Sequence, residues 1–225
     1  MPEYTLRFDS LSLTASGLFA EMGYGDKEPE GEVRSLTVSL LEEVSKWITP
    51  CCTFSVWDGI LEEDTVCLSA GERFPVGSVI ASLLKGSTRF ALFAATAGTA
   101  FQLFQEQLNK EGDMLKVFIA DMIGTCVAEK AGDCMERLLE KELVGEKHTN
   151  RFSPGYCGWH LTSQKQLFRL MGESPCGIHL SEVCLMMPIK SISGIIGIGP
   201  DVDVKKYGCQ YCELETCYKR KKKNR

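Results

Sequence analysis

Residues 151–160 read RFSPGYCGWH: an arginine, a Ser-Pro-Gly turn, three aromatic residues, a cysteine and a histidine in one short stretch. An arginine offers a planar fork that grips a carboxylate or phosphate with two parallel hydrogen bonds. The turn brings backbone groups close to whatever lies against it, and Tyr156 adds a flat face and a hydroxyl. Arg151, Phe152, Ser153, Gly155 and Tyr156 therefore suit a small zwitterionic or aromatic ligand; a turn pinned by an arginine ion pair is the bland alternative. Cys157 and His160 contain the ingredients of thiol catalysis, but residues three apart in a turn seldom reach the required geometry.

Working outward, the LTSQ stretch predicts a short helix over Thr162–Met171 capped by Thr162 or Ser163. SEVCLMMP (181–188) and SISGIIGIG (191–199) read as strands, with a last strand over Tyr207–Cys212. Gly194, Gly197 and Gly199 are spaced in the reverse of a dinucleotide fingerprint and predict a flat or bulged strand that something approaches closely. Upstream, TLRFDSLSL (5–13) alternates as a first strand, and a helix is expected from Val33 to Trp47, ending before Pro50. CCTFSVWDGIL (51–61) and DTVCLSA (64–70) predict two strands turning at Asp58 and Gly59. Helices are expected at Gly77–Leu84 and Thr99–Asn109, with a buried strand from RFALFAATAG (89–98) between them.

A longer helix begins near Asp113, where Leu115, Phe118, Met122, Cys126, Met135, Leu138 and Leu139 recur at helical spacing. Gly124 and Gly132 leave room for a bend or a break. Asp121, Thr125 and Glu129 share one face of it, which reads first as a solvated polar stripe. Strands and helices in no steady alternation predict an α+β fold with a mainly antiparallel sheet.

The chain has 225 residues, 44% hydrophobic and 24% charged, as in an ordinary globular protein with one sizeable core. Its net charge is −5, to which the last seven residues contribute +6, so residues 1–218 carry −11. A basic end of this kind reads as a solvated terminus or a contact for an acidic partner; no aromatic interleaving points to nucleic acid. The absence of a long apolar run and of a signal-like start leads us to expect a cytoplasmic protein with no membrane partner. Eleven cysteines then imply thiols that are buried, reactive or metal-bound. CQYCELETC places Cys209, Cys212 and Cys217 as a CxxC corner plus a third thiol, with Cys157, Cys176, Cys184 or His160 available as a fourth ligand for zinc or an iron-sulfur cluster. A redox-active dithiol and plain buried cysteines are the other readings of the same residues. HExxH, P-loop and GxSxG signatures are absent.

RFSPGY resembles the RxxPGY segment of the activation domain of cobalamin-dependent methionine synthase. WHLTSQKQLFRLMG and LSEVCLMMPIKSISG are similar, in the same order, to that family's following helix, S/T-E-x-x-x-M-x-P strand and S-x-S-G strand. The resemblance is specific from about Ala120 to Tyr211; before residue 110 it rests on length and on the AATAG turn at 94–98. It implies a helmet-like α+β domain with a twisted antiparallel sheet that binds S-adenosylmethionine without a Rossmann unit. Carried over, Arg151 holds the methionine carboxylate, and Phe152, Ser153, Gly155 and Tyr156 line the pocket. Tyr207, after the S-x-S-G strand, matches a further ligand-contacting tyrosine. The family's acidic residue on the long helix falls at Thr125 here, so Glu129, one turn later, is taken as the anion. The cysteine-rich end and the CGWH continuation depart from the methionine synthase domain and look like small stand-alone homologues of anaerobes.

The implied activity is reductive methylation, which reactivates an oxidised corrinoid with an electron from an external reductant and a methyl group from S-adenosylmethionine. No DxHxxG arrangement is present to ligate cobalamin, so the corrinoid is expected on a separate protein or a methionine synthase lacking its own activation domain. The electron donor is expected to be flavodoxin- or ferredoxin-like. The expected organisation is an N-terminal part over 1–110, the binding core with its cysteine-rich end over 111–218, and a basic tail over 219–225. Two rival readings are a binding module without turnover and a protein whose terminal cysteines form a metal or redox centre.

Overall fold

The computed structural model describes residues 1–202. The described residues divide into two compact units, each assembled from separated segments: Met1–Phe54, Ala94–Glu142 and Met171–Ile192 form the first, and Ser55–Phe93, Leu143–Leu170 and residues 193–202 form the second. The strands are β1 (Glu3–Thr5), β2 (Cys51–Glu62), β3 (Thr65–Leu68), β4 (Arg73–Pro75), β5 (Arg89–Thr96), β6 (Lys147–His148), β7 (His179–Leu180), β8 (Met186–Met187) and β9 (Ser191–Gly199). One sheet runs β4-β3-β2-β5-β9-β6 with β1 added on β2, and β7 pairs with β8 separately. The β1–β2, β2–β3, β3–β4, β6–β9 and β7–β8 pairs are antiparallel. Together with its helices this is the α+β architecture expected from the sequence.

In the first unit, α1 (Ala15–Phe19), α2 (Glu32–Ser45), α4 (Thr99–Glu111) and α5 (Met114–Glu142) are the helices. Asp113 opens α5 by accepting hydrogen bonds from the backbone N–H groups of Leu115 and Lys116, both at 3.1 Å. The helix then continues unbroken past Gly124 and Gly132. Ile119, Ile123, Val127, Ala131, Met135 and Leu139 form a fully buried stripe four residues apart, packed toward α2 and α4. Of the residues expected on the buried face, Met122, Cys126, Met135 and Leu139 are buried, Leu115 and Leu138 are half-buried, and Phe118 is exposed. Gly124 is tolerated because the Phe101 ring and the Lys190 stem occupy the space a Cβ would need. Phe101 belongs to an aromatic cluster with Phe104 and Trp47, its ring centroid 6.0 Å and 6.5 Å from theirs.

Three local expectations are corrected. The first strand stops at Thr5; Leu6 donates to Pro50, and a 3-10 turn over Phe8–Leu11 buries Leu11 instead of continuing the alternation. SEVCLMMP is mostly not a strand: Ser181 turns the chain by accepting from Leu185 N–H through its Oγ at 3.0 Å, with Cys184 left-handed at φ 64°, and only Met186–Met187 pairs. In the second unit, β2 runs straight through Asp58 and Gly59, and the turn is made at Glu63 (φ 53°) and Asp64. Gly59 sits in mid-strand because a Cβ there would lie 2.7 Å from the Cys67 carbonyl oxygen and 3.0 Å from the Phe90 ring.

The second unit also holds α3 (Gly77–Leu83) and most of α6 (Gln164–Met171), which a 3-10 turn over Leu161–Ser163 precedes. Its cap is His160 and neither Thr162 nor Ser163: His160 Nδ1 accepts from Thr162 N–H at 3.3 Å and lies 2.7 Å from Thr162 Oγ1. No helix among the described residues is long and apolar enough to cross a membrane.

Candidate functional site

The segment quoted at the outset is a loop clamped at both ends. At its start, Phe152 and Ile195 of β9 exchange backbone hydrogen bonds at 2.9 and 2.8 Å, an isolated antiparallel bridge. At its end, Gly155 N–H donates to the Trp159 carbonyl at 2.7 Å and Trp159 N–H to the Tyr156 carbonyl at 2.9 Å. Phe152, Pro154 and Trp159 are buried, with the Trp159 ring edge-on to Phe74, whereas Gly155 and Tyr156 are exposed and Arg151 and Ser153 are half-buried. Apolar anchors thus hold the loop while Gly155 and Tyr156 stay exposed, the arrangement a preorganised ligand loop requires. Gly155 has φ 95°, a conformation that only glycine adopts without strain, so the turn depends on that residue.

The three glycines of β9 do what their spacing suggested, each receiving a close neighbour. A Cβ at Gly194 would collide with the Phe152 carbonyl, one at Gly197 with the Ser87 hydroxyl, and one at Gly199 with the Gly86 carbonyl. The group approaching Gly194 is the backbone of the loop itself. Next along the strand, Thr149 exchanges bonds with Gly197: its N–H donates to the Gly197 carbonyl at 2.8 Å and its Oγ1 accepts from Gly197 N–H at 2.9 Å. Ser193 Oγ and Trp159 Nε1 are among five buried side-chain polar atoms of this unit, with Glu72 Oε2, Ser87 Oγ and Gln164 Oε1, that have no hydrogen-bond partner among the described residues. Ser193 and Trp159 can serve a polar ligand or water, since an unsatisfied buried hydroxyl or indole N–H is otherwise unfavourable.

A concavity in the same unit, about 750 Å³, is lined by Asp58, Ile60, Cys67, Ser69, Arg89 and Glu146 among others. An Arg89–Glu146 ion pair lies on its wall, and none of residues 151–156 contributes to it.

Glu129 lies in the first unit, exposed on α5. The face it shares with Asp121 and Thr125 is more than a solvated stripe. The Lys190 ammonium, with only 13% of its side chain exposed, sits 2.7 Å from Asp121 Oδ1 and donates to Thr125 Oγ1 at 3.0 Å. These contacts fix the chain at the entry to β9. Around them, Ala97 N–H donates to the Lys190 carbonyl at 2.9 Å, and Ser191 Oγ donates to the Pro188 carbonyl at 2.6 Å.

Tyr207, Cys209, Cys212 and Cys217 lie outside the described residues. Of the candidate fourth ligands, His160 caps a helix through Nδ1 and Cys184 is buried. Cys176 has a neighbour that the sequence did not suggest: its Sγ lies 2.7 Å from Cys51 Sγ, and its backbone N–H donates to Glu3 Oε1 at 2.6 Å. Glu3, Cys51 and Cys176 thus bring three potential ligand atoms together in the first unit. The hydrogen bond between the two thiols holds Cys51 below its ordinary pKa, while the same bond and burial push the Cys176 thiol up. Burial pushes Cys52 up to about 12.

The clamped Arg-Phe-Ser-Pro-Gly-Tyr loop on a glycine-bearing strand, within an α+β domain, can now be set beside known proteins. The family model of the vitamin B12 dependent methionine synthase activation domain matches residues 78–223. That is more than half of the chain, which belongs to this family. The solved structures include a match titled "Crystal Structure of the MetH Reactivation Domain bound to AdoHcy", with TM-score 0.60 and 14% identity, covering 92% of this chain and 80% of that one. At that identity the likeness shows the fold. No curated protein matches the chain.

Proposed function

We propose that the protein binds S-adenosylmethionine at the Arg151–Tyr156 loop and supports the reductive methylation of a corrinoid carried by a separate protein. Family membership supports the reading, as does the fold shared with a MetH reactivation domain bound to AdoHcy, the demethylated form of the proposed ligand. The single observation that carries it is the Phe152–Ile195 bridge over Gly194, which holds the loop rigid while leaving Gly155 and Tyr156 exposed.

The residues present fit such a ligand. Arg151 provides the fork for its carboxylate, Tyr156 a face and hydroxyl, and Ser153 and Gly155 the adjoining backbone, with Ser193 and Trp159 as buried polar atoms still lacking partners. When bound, S-adenosylmethionine supplies an electrophilic methyl group on a sulfonium, and a reduced corrinoid supplies the nucleophile. The chain therefore has no proton to move; its task is to orient the sulfonium and fix the carboxylate end. Tyr207 is proposed to contribute further along the chain. The corrinoid partner is proposed to be a methionine synthase without its own activation domain or a related corrinoid protein, and the donor a flavodoxin- or ferredoxin-like protein.

The test is methyl transfer from labelled S-adenosylmethionine to a corrinoid protein under a low-potential reductant, with and without this chain. Transfer that depends on the chain supports the proposal. Binding of S-adenosylmethionine without transfer to any corrinoid protein would make it a binding module.

A further inference from the structure

Adjacent cysteines on a strand point to opposite faces, and this explains why only one member of the Cys51-Cys52 pair meets a partner. Cys51 opens β2 opposite Thr5 of β1; Cys52, opposite Tyr4, is fully buried. Cys176 lies in the 3-10 turn Pro175–Gly177 with a left-handed φ of 54°. That turn is held by Gly177 N–H to the Ser174 carbonyl at 3.0 Å and by Cys176 N–H to Glu3 at 2.6 Å. Strand pairing and the Glu3 contact, both within the first unit, bring two thiols 125 residues apart in sequence to a sulfur separation of 2.7 Å.

We propose that Cys51 and Cys176 are a redox modification site, forming a reversible disulfide by exchange with a small-molecule disulfide of the glutathione type. Their separation is about 0.7 Å longer than a covalent S–S bond. Two thiolates on one tetrahedral zinc stand roughly 3.7 Å apart, so the spacing fits a disulfide better than a shared metal. Both thiols are half-buried and reachable, whereas Cys52 and Cys184 are buried. Cys51, half-buried and 2.7 Å from the Cys176 sulfur, is assigned as the attacking sulfur, a role to which the lowering of its thiol by that contact adds support.

In the first step the Cys51 thiolate attacks one sulfur of the external disulfide, forming a mixed disulfide and expelling one thiolate. Cys176 then gives up its proton and attacks the Cys51 sulfur, forming the intramolecular bond and expelling the second thiolate. The two cysteines lose two electrons, and the external disulfide becomes two thiols. A dithiol reductant reverses both steps.

The full chain is equilibrated in glutathione buffers of increasing oxidised fraction, quenched with acid and N-ethylmaleimide, digested and mapped by mass spectrometry. The expected result is a Cys51–Cys176 linked peptide pair, with both thiols lost to alkylation in oxidising buffer and recovered with dithiothreitol. In Cys176→Ser, Cys51 should accumulate as the glutathione mixed disulfide. Full alkylation of both cysteines at every poise would overturn the proposal, as would linkage of Cys51 to Cys52. Protection reversed by a chelator and not by a reductant would overturn it in favour of a metal. The wild-type map decides the matter even if the variant does not fold.

Discussion

Gly194 of β9 and Gly124 of α5 occupy the same kind of position, a glycine inside an otherwise regular element, yet different groups fill the space above them. Over Gly194 lies the backbone carbonyl of Phe152; over Gly124 lie the Phe101 ring and the Lys190 stem. A backbone carbonyl tied into a bridge cannot rotate away, whereas side chains repack within limits. The glycine under the proposed ligand loop therefore fixes the geometry of that loop, and the glycine in the long helix fixes only a packing arrangement.

Gly194→Ala is the strongest way to break this contrast. It should destabilise the protein by about 4 kcal/mol, combining overpacking with loss of the Phe152–Ile195 hydrogen bonds. Denaturant titration measures it, and a cost near that of a surface substitution would show that the loop is not held by this contact. Arg151→Ala sharpens the comparison from the other side. It should weaken S-adenosylmethionine binding by about 2 to 4 kcal/mol, the scale of a lost charge-assisted pair. Gly124→Ala should cost only about 1 kcal/mol, because improved helix propensity offsets part of the repacking of Phe101. A cost equal to that of Gly194→Ala would remove the distinction drawn above. Tyr156→Phe should weaken binding by about 1 kcal/mol or less if only the hydroxyl is lost; a loss as large as that of Arg151→Ala would give the tyrosine a larger part. Timed alkylation at neutral pH should label Cys51 well before Cys52, whose thiol is pushed up to about 12 by burial.

Elements with long, regular periodicity were legible in the sequence: α2, α4, α5 and β5 form close to where their apolar residues recur. The errors came where a tertiary contact overrides a local signal. Asp58-Gly59 looks like a turn, but the Cys67 carbonyl and Phe90 ring crowd onto Gly59 and keep it in the strand. TLRFDSLSL alternates like a strand, but Leu6 pairs with Pro50 and the 3-10 turn over Phe8–Leu11 buries Leu11. The glycines of β9 announced a close approach without naming the group, because nothing local to SISGIIGIG specifies that Phe152 arrives there. Cys51 and Cys176 carry no spacing pattern at all, and only the pairing of β1 with β2 and the Glu3 contact bring them together.

The most direct test of the central claim is calorimetric titration of the reduced protein with S-adenosylmethionine, run in parallel on Arg151→Ala. The account predicts saturable binding by the wild type and a loss of about 30- to 1,000-fold in affinity in the variant, the equivalent of about 2 to 4 kcal/mol. Equal affinity in both proteins would contradict it by placing the ligand away from the Arg151–Tyr156 loop.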